Sequence, residues 1–296
     1  VLSGDIGMKG NHNDNSYHVV IPGEGAVLDG LTIQYGYANG GAAGQKNGAG
    51  VWLNDVSASV VNCRFDDNHS EMNCAVCFDG PGVNTTVEDT VFENNTGTQG
   101  GAVAVINGAS VAFSNCEFLN NEAEQGGACY VSSFGGTISF TDCEFRGNQV
   151  DSTTAGAEAG ALYCYNSASI IVDRCDFTEN KTLSTPATSR AGAISIVSMG
   201  SNITVQDCNF YDNEAFVMGG AIYCHTSSPT MINCNFIGNR TTDTGTSCYG
   251  GAIHFFNSQP NLQNCRFESN YGYYYGGAVA ISGVSGNASF TDCIFD

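Results

Sequence analysis

The chain has 296 residues and a formal net charge of −20, from 29 Asp and Glu against 9 Lys and Arg. Such a surface repels phosphate backbones and the sequence has no basic stripe, so nucleic acid is not expected as a partner. The 38 Gly residues and the low charged fraction of 13% argue against a helical solenoid. No apolar stretch reaches the roughly 20 residues of a transmembrane helix.

The first segment opens at Val1 in a predicted strand and has no signal peptide, which indicates a mature product or an excised fragment. An oxygen-rich loop follows, with the residues Asp5, Asn11, Asn13, Asp14 and Asn15. Oxygen donors of these types are ligands that Ca²⁺ prefers. The spacing does not match an EF-hand, so an Asx-rich turn without any cofactor is the preferred interpretation and Ca²⁺ binding is the alternative.

A tandem repeat then organises the chain. We predict one domain over residues 1–296, with less regular N-terminal rungs over 1–47 and regular repeats over 48–296. The marker is a Phe followed three residues later by an Asn, and successive Phe residues are 26 to 33 residues apart. The pairs are Phe65–Asn68, Phe92–Asn95, Phe118–Asn121, Phe145–Asn148, Phe177–Asn180, Phe210–Asn213, Phe236–Asn239 and Phe267–Asn270. This period indicates stacking of one small unit.

Within each unit, Gly-Gly-Ala or Gly-Ala precedes a strand in which alternate residues are apolar, as in Val103 and Val105. A second alternating strand follows, and then Cys-x-Phe. An Asn or Asp usually precedes that Cys, where the alternation breaks and the chain must turn a corner; these residues tolerate the left-handed conformation. Arg174 is the exception.

Three short strands per unit, each with an inward apolar pair, predict an all-β fold. We expect a single right-handed parallel β-helix of nine to ten rungs, with equivalent residues about 4.8 Å apart. The Phe residues then form an interior column beside a Cys column, and Asn forms a ladder at the following corner. Insertions lie mostly between that Asn and the next Gly-Gly-Ala.

The Phe-x-x-Asn and Gly-Gly-Ala-[Ile/Leu/Val] motifs resemble the repeat of chlamydial polymorphic outer-membrane proteins. The pattern is also similar to large secreted bacterial and algal β-helix proteins, as is the opening from Val1 to Ile33. The resemblance covers essentially the whole chain. It implies a β-helical passenger or stalk used in adhesion or surface structure, and it carries over no catalytic residues because the motif itself is scaffold.

The outward residue of the first strand forms a predicted contact stripe for surface glycans, proteins or another copy of the chain. Its members are Trp52, Cys77, Ala104, Tyr130, Tyr163, Ser195, Tyr223, His254 and Ala280. Exposed aromatic rings on a flat sheet favour contact, although tyrosine is also simply a good strand former. A run of four tyrosines over residues 271–275 is a second predicted contact region.

Cysteines and glycosylation sequons together favour an extracellular, cell-surface location. Two cysteine pairs could bridge the walls of one rung, Cys164 with Cys175 and Cys224 with Cys234, although connectivity cannot be deduced from sequence. The sequons predict N-linked glycans at Asn68, Asn84, Asn94, Asn180, Asn202, Asn239 and Asn287.

The main functional hypothesis is an extracellular structural or adhesive β-helix, either a stalk segment or a filament subunit that assembles head to tail. Both ends fall within a strand or motif and lack an evident cap, which motivates the filament form. The alternative is a carbohydrate-binding protein or a polysaccharide lyase or hydrolase. Catalysis is not expected, because such enzymes need clustered carboxylates or a basic residue among acids, and the contact stripe has neither.

Overall fold

The backbone winds into a parallel β-helix of about 10 turns. The structure is a computed structural model that describes residues 1–151, 156–167, 169–183, 189–200, 202–243, 248–283 and 287–296. Three long sheets run along the rod, and each turn contributes one strand to each sheet over most of its length. The predicted all-β solenoid with three strands per turn is confirmed.

The first sheet contains the strands that follow Gly-Gly-Ala. In the described residues these are Val51–Asn54, Val76–Asp79, Val103–Ile106, Cys129–Ser132, Leu162–Tyr165, Ile194–Gly200, Ile222–Ser227, Ile253–Phe256 and Val279–Ser282. The second sheet comprises Ala26–Asp29, Ala58–Val61, Asn84–Glu88, Ser110–Ser114, Thr137–Thr141, Ser169–Asp173, Ile203–Gln206, Thr230–Ile232, Asn261–Gln263 and Ser289–Thr291.

The third sheet carries the Phe residues. Its strands are Leu2–Ser3, Thr32–Gln34, Arg64–Asp66, Val91–Glu93, Glu117–Leu119, Glu144–Arg146, Asp176–Thr178, Asn209–Tyr211, Asn235–Ile237, Arg266–Glu268 and Ile294–Phe295. A short fourth sheet follows the Asn corner, with strands Glu122–Ala123, Gln149–Val150, Lys181–Thr182, Glu214–Ala215 and Arg240–Thr241. A two-stranded sheet pairs Tyr37–Ala38 with His69–Ser70, and 3₁₀ helices span His12–Asp14 and Ala43–Lys46.

The predicted Phe column fills the interior. The rings of Phe118 and Phe145 are nearly parallel, with centroids 4.5 Å apart, and the column continues in the same way from Phe65 to Phe295. Every ring from Phe65 to Phe267 is fully buried. Because buried aromatic rings contribute both burial area and ring–ring contacts, this column is a main source of the stability of the rod.

The corner before each Cys has the left-handed conformation predicted for it. The φ values lie between 49° and 54° at Asn62, Asp89, Asn115, Asp142, Arg174, Asp207, Asn233, Asn264 and Asp292. The departure at Arg174 has a physical reason: its guanidinium donates to both carboxylate oxygens of Asp142 in the preceding rung, at 2.7 and 3.0 Å. The guanidinium lowers the pKa of the Asp142 carboxyl through these bonds.

The Cys after this corner is a hydrogen-bonding residue as well as a core residue. The Cys116 thiol lies 3.3 Å from the carbonyl oxygen of Ser114, and the Cys175 backbone N–H donates to the Cys208 sulfur. Thr90 replaces Cys at one rung and makes equivalent contacts, donating to Glu88 O and accepting from the Cys63 N–H. A small side chain that can both donate and accept therefore satisfies this position.

The Asn of the repeat forms a ladder that is fully buried from Asn68 to Asn239 and ends at the half-buried Asn270. The Asn121 side chain donates from Nδ2 to Asn148 Oδ1 and to Phe92 O, and its backbone N–H donates to the same Asn148 oxygen. The same three bonds recur from rung to rung between Asn68 and Asn270. Each amide therefore satisfies backbone groups that a buried corner would otherwise leave without partners.

The Gly-Gly-Ala motif reflects close packing of successive rungs. A Cβ atom on Gly127 would lie only 2.1 Å from the carbonyl oxygen of Gly160, so no larger residue fits there without moving the backbone. The preceding residue has positive φ, as at Gly126. The motif thus specifies where the chain passes from the variable segment into the first sheet.

Replacing one ladder residue tests the ladder directly. Asn148→Ala removes the acceptor of two Asn121 donors and the donor to Phe118 O, so we expect the free energy of unfolding to fall by about 3–5 kcal/mol. The measurement is chemical denaturation followed by circular dichroism. The matched control is Asn84→Ala at an exposed strand position, which is expected to cost less than about 0.5 kcal/mol. Equal effects of the two substitutions would contradict the role of the ladder.

Candidate functional site

The predicted contact stripe exists as a column, but its prediction as an exposed surface is wrong. Strand register aligns its nine residues one above another from Trp52 to Ala280. Tyr130, Tyr163, Tyr223 and His254 are nevertheless only 9%, 8%, 3% and 1% exposed. Trp52 is half-buried and its ring stacks on His18 at 5.4 Å. These rings are therefore packing residues outside the main core.

A second column covers the stripe. It consists of the residue two positions before the close-packed Gly at each rung, and parallel bridges link its members: Gln99, Gln125, Glu158, Arg190, Met218, Tyr249 and Tyr275. We call this the covering column. It belongs to the segment of variable length between the ladder Asn and the first sheet, so these segments fold back over the sheet face.

A buried polar cluster lies between the two columns. Glu158, only 7% exposed, pairs with Arg190 at 2.5 Å and accepts a hydrogen bond from Ser195 Oγ at 2.8 Å. The Arg190 guanidinium lies 5.0 Å from the centre of the Tyr223 ring, which is a cation–π contact. Burial raises the pKa of Tyr223 to about 12, and burial together with the Glu158 charge raises the pKa of Tyr163.

His254 is the most deeply buried titratable residue of this cluster, with 1% exposure. Its Nε2 lies 2.8 Å from Ser282 Oγ, its Nδ1 has no partner, and its ring stacks on Tyr249 at 4.9 Å. Burial, followed by repulsion from Arg190, lowers the pKa of His254 to about 4. The imidazole is therefore neutral at physiological pH.

The exposed aromatic surface lies beside the stripe. His225 and Phe256 follow the stripe residues Tyr223 and His254 by two positions. Both are half-buried, and their ring centroids are 5.3 Å apart in a stacked arrangement. Tyr249 stacks on Tyr275 at 4.9 Å, and Tyr275 contacts Tyr274 at 5.0 Å. We define His225, Phe256, Tyr249, Tyr274 and Tyr275 as the aromatic patch.

The buried His254 links the two halves of the patch, because it contacts both Phe256 and Tyr249. Tyr274 and Tyr275 are 50% and 48% exposed. The predicted contact region at residues 271–275 is therefore at the surface, whereas the predicted stripe is beneath it. A large exposed aromatic surface is typical of a contact site.

The chemistry of the cluster does not resemble that of a glycosidase. Such enzymes use two carboxyl groups on opposite sides of the scissile bond. In the described cluster of Glu158, Arg190, Ser195, Tyr223 and His254 there is one carboxylate, and both of its oxygens are engaged. Sequence reasoning missed Glu158 and Arg190; their constant position two residues before the close-packed Gly was the available signal.

The predicted disulfides are wrong. All 14 cysteines lie in described residues and each is a free thiol. The Cys175 sulfur lies 3.5 Å from the carbonyl oxygen of Phe140 and Cys234 has the same orientation toward Val205, so these thiols point along the stack rather than across the rung. Burial raises the pKa of Cys164 and Cys224.

Three of the predicted glycosylation sites are wrong for the folded chain. Asn68, Asn180 and Asn239 are ladder residues with at most 1% exposure, and their amides are hydrogen-bonded in the interior. A glycan on Nδ2 would break the ladder. The sequon residues at the surface are Asn84, Asn94, Asn202 and Asn287.

The oxygen-rich loop lies at the start of the rod. Asn11 precedes the 3₁₀ helix His12–Asp14 and its Oδ1 accepts from the Asn13 N–H. Asp14 Oδ2 accepts from the Met8 N–H, and Asp5 Oδ2 accepts from the Gly10 N–H. Asn11 therefore forms a local Asx turn.

Among the residues that the structure describes, no helix is long and apolar enough to cross a membrane.

The depressed pKa of His254 predicts a pH dependence of stability. An unfolded histidine titrates near 6.5, so between pH 6.5 and 4 the unfolded chain binds a proton that the folded chain does not. The neutral, buried His254 therefore makes its full contribution to the free energy of unfolding above pH 6.5. That free energy falls by at most about 3 kcal/mol as the pH decreases toward 4. We expect His254→Tyr, which copies neighbouring rungs of the stripe, to lose less stability than wild type over this interval. Denaturation curves of both proteins at pH 7, 5.5 and 4 measure this difference. The same loss of unfolding free energy in wild type and variant would contradict the prediction.

Comparison with known proteins agrees with this architecture. The family model described as right-handed β-helix region matches residues 8–181 and 99–296, whereas no curated protein sequence matches the chain. Among solved structures, the catalytic domain of a GH87 α-1,3-glucanase in complex with tetrasaccharides is similar with a TM-score of 0.37 at 11% identity. A second such domain, in complex with nigerose, has a TM-score of 0.26 at 9% identity.

Both alignments cover 90% of this chain and 62% of the glucanase chain. The chain therefore spans less than two thirds of their length, and similarity at these scores carries no argument about activity. The two matches of the family model together extend from residue 8 to residue 296. The chain belongs to the right-handed β-helix family.

Proposed function

We propose that the chain is an extracellular structural and adhesive β-helix that binds its partner through the aromatic patch. The observation that carries this proposal is the exposure of Tyr274 and Tyr275 in ring contact with a covered aromatic column. Rings held by neighbours lose little conformational entropy on binding, and tyrosine offers both an apolar face and a hydroxyl. The regular rod beneath supplies a rigid platform for this surface.

The rod acts either as a segment of a surface stalk or as a subunit that stacks end to end in a filament. Parallel stacking uses the same backbone and side-chain contacts whether the next rung belongs to the same chain or to another copy. Both forms are consistent with adhesion through a lateral surface. The extracellular location rests on the four exposed sequon residues and on the resemblance to secreted β-helix proteins.

The second candidate is a carbohydrate-binding or polysaccharide-degrading protein. The stacked rings of His225 and Phe256 on a flat parallel sheet favour the binding form, because sugar rings stack on such surfaces. The degrading form has less support, since the one carboxylate of the polar cluster is buried and paired with Arg190. We therefore retain glycans as a class of partner rather than as a substrate.

Removal of the exposed tyrosines tests the patch. We expect Tyr274→Ala combined with Tyr275→Ala to weaken binding at least about tenfold, because two aromatic contact residues are lost without disturbing the core. Binding is measured on a glycan array and on immobilised copies of the chain. The matched control is Phe134→Ala, which removes an aromatic ring of 64% exposure outside the patch.

Unchanged binding by the double variant, or an equal loss with Phe134→Ala, would overturn the patch as the contact site. Electron microscopy of the same sample distinguishes single rods, as expected of a stalk segment, from fibres. Release of reducing sugar that disappears in Glu158→Gln would support the degrading alternative instead.

Glycan occupancy tests the extracellular assignment and the ladder together. When the chain is secreted by a eukaryotic host, we expect glycans at Asn84, Asn94, Asn202 or Asn287, which are exposed, and unmodified Asn180 and Asn239. Peptide mass spectrometry of the folded, secreted fraction measures this at each site. A glycan on Asn180 in that fraction would show that the ladder amide is dispensable.

A further inference from the structure

The cysteines that precede the Phe residues form a continuous column of thiols. Backbone hydrogen bonds place each of them beside its equivalent one rung away: the Asp176 N–H donates to Cys143 O at 3.0 Å, and the Asn209 N–H donates to Cys175 O at 3.0 Å. The same bond recurs at every rung of the column. Seven consecutive rungs carry a cysteine here, and we call them the thiol column: Cys116, Cys143, Cys175, Cys208, Cys234, Cys265 and Cys293.

Neighbouring thiols of the column are in contact. The Cys208 thiol makes side-chain hydrogen bonds with the thiols of Cys175 and Cys234, and its sulfur accepts the Cys175 backbone N–H at 3.4 Å. The Cys143 thiol is joined in the same way to the thiols of Cys116 and Cys175. These five residues are at most 2% exposed. Their sulfur atoms therefore form a line from which solvent is excluded.

The spacing of the rungs suits a covalent link between neighbours. Successive parallel strands lie about 4.8 Å apart, and a disulfide joins residues whose Cα atoms are about 4.4–6.8 Å apart. The column thiols also point along the stack, as the Cys175 sulfur does toward Phe140 O of the preceding rung. A bond between rungs thus matches this orientation, whereas a bond across one rung does not.

We propose that consecutive cysteines of the thiol column form disulfides between rungs in the presence of a small-molecule disulfide such as oxidised glutathione, with Cys175 and Cys208 as the central pair. One protein thiolate attacks the small disulfide, forms a mixed disulfide and releases one small thiolate. The neighbouring thiolate attacks the protein sulfur of the mixed disulfide and releases the second. Two protein thiols are oxidised, one small disulfide is reduced to two thiols, and the protons of the protein thiols pass to the released thiolates.

The reaction takes place while the chain folds or while a rung opens transiently, because the thiols are buried in the folded rod. Once formed, the bond between Cys175 and Cys208 closes a loop between residues 33 positions apart and restricts the unfolded chain. A turn of a solenoid is stable only against its neighbours, so a link between turns also opposes local opening. The inference does not rest on the adhesive function, because the thiol column shares no residue with the aromatic patch.

Thr90 supplies a natural control, because it stands in the column with a side chain that cannot form a disulfide. It lies between Cys63 and Cys116, and the neighbour of Cys63 in the preceding rung is Leu31. Cys63 therefore has no cysteine beside it in the column, and we expect it to stay a free thiol. Thr90→Cys gives Cys63 a neighbour and should allow it to pair.

The test is refolding of the full chain in a glutathione redox buffer, followed by alkylation and peptide mass spectrometry without reduction. We expect disulfides only between consecutive column residues, and a denaturation midpoint that rises on oxidation and returns when dithiothreitol is added. Cys143→Thr combined with Cys234→Thr leaves Cys175 and Cys208 as a separate pair, which should still form its bond. Adding Cys208→Thr is the matched control and should leave Cys175 as a free thiol. Threonine is a mild replacement, because Thr90 already makes the hydrogen bonds of this position.

Disulfides confined to column neighbours, with Cys63 alkylated in wild type and paired in the Thr90→Cys variant, would support the inference. Column thiols that are all alkylated after refolding under oxidising conditions would overturn it. Bonds across one rung, such as Cys164 to Cys175, would overturn it as well. Circular dichroism verifies that each variant is folded, and the peptide map of the wild type decides the question if one is not.

Discussion

The asparagine ladder is the interaction on which the rest of the rod depends, because it binds each turn to the two beside it at a buried corner. A parallel β-helix has no turn that is stable alone, and each strand gains its hydrogen bonds from neighbouring rungs. From Asn68 to Asn270, the ladder supplies hydrogen-bond partners for backbone groups at the corner, which the strands do not reach. Phe stacking and Gly-Gly-Ala packing then follow in register.

Repetition and function occupy different parts of the molecule. The residues that recur in the regular turns, Phe, Asn, Cys and Gly, point inward or form corners. The features that differ between turns lie in the variable segments: the Glu158–Arg190 pair, His254 with its aromatic neighbours, and the tyrosines of residues 271–275. A rod of this kind can change its outer surface one rung at a time without altering its core.

The sequence alone was sufficient to predict the features that repeat from turn to turn. It predicted the Phe column and the left-handed corners, because each depends on contacts with the equivalent residue one turn away. It failed for the stripe, since side chains of a separate segment lie over it, as Arg190 lies over the ring of Tyr223. It failed for three sequons because Asn180 and Thr182 are both interior residues, and their spacing arises from the solenoid rather than from glycosylation.

The ladder also gives the rod a direction. Each Oδ1 from Asn95 to Asn270 accepts hydrogen bonds from the preceding turn, so the side-chain carbonyl groups all point toward the N-terminal end. Aligned amide groups polarise one another, and their dipoles add along the axis rather than cancelling. The two directions along the ladder are therefore electrically unlike, because the side-chain carbonyl groups face one way and the NH₂ groups face the other.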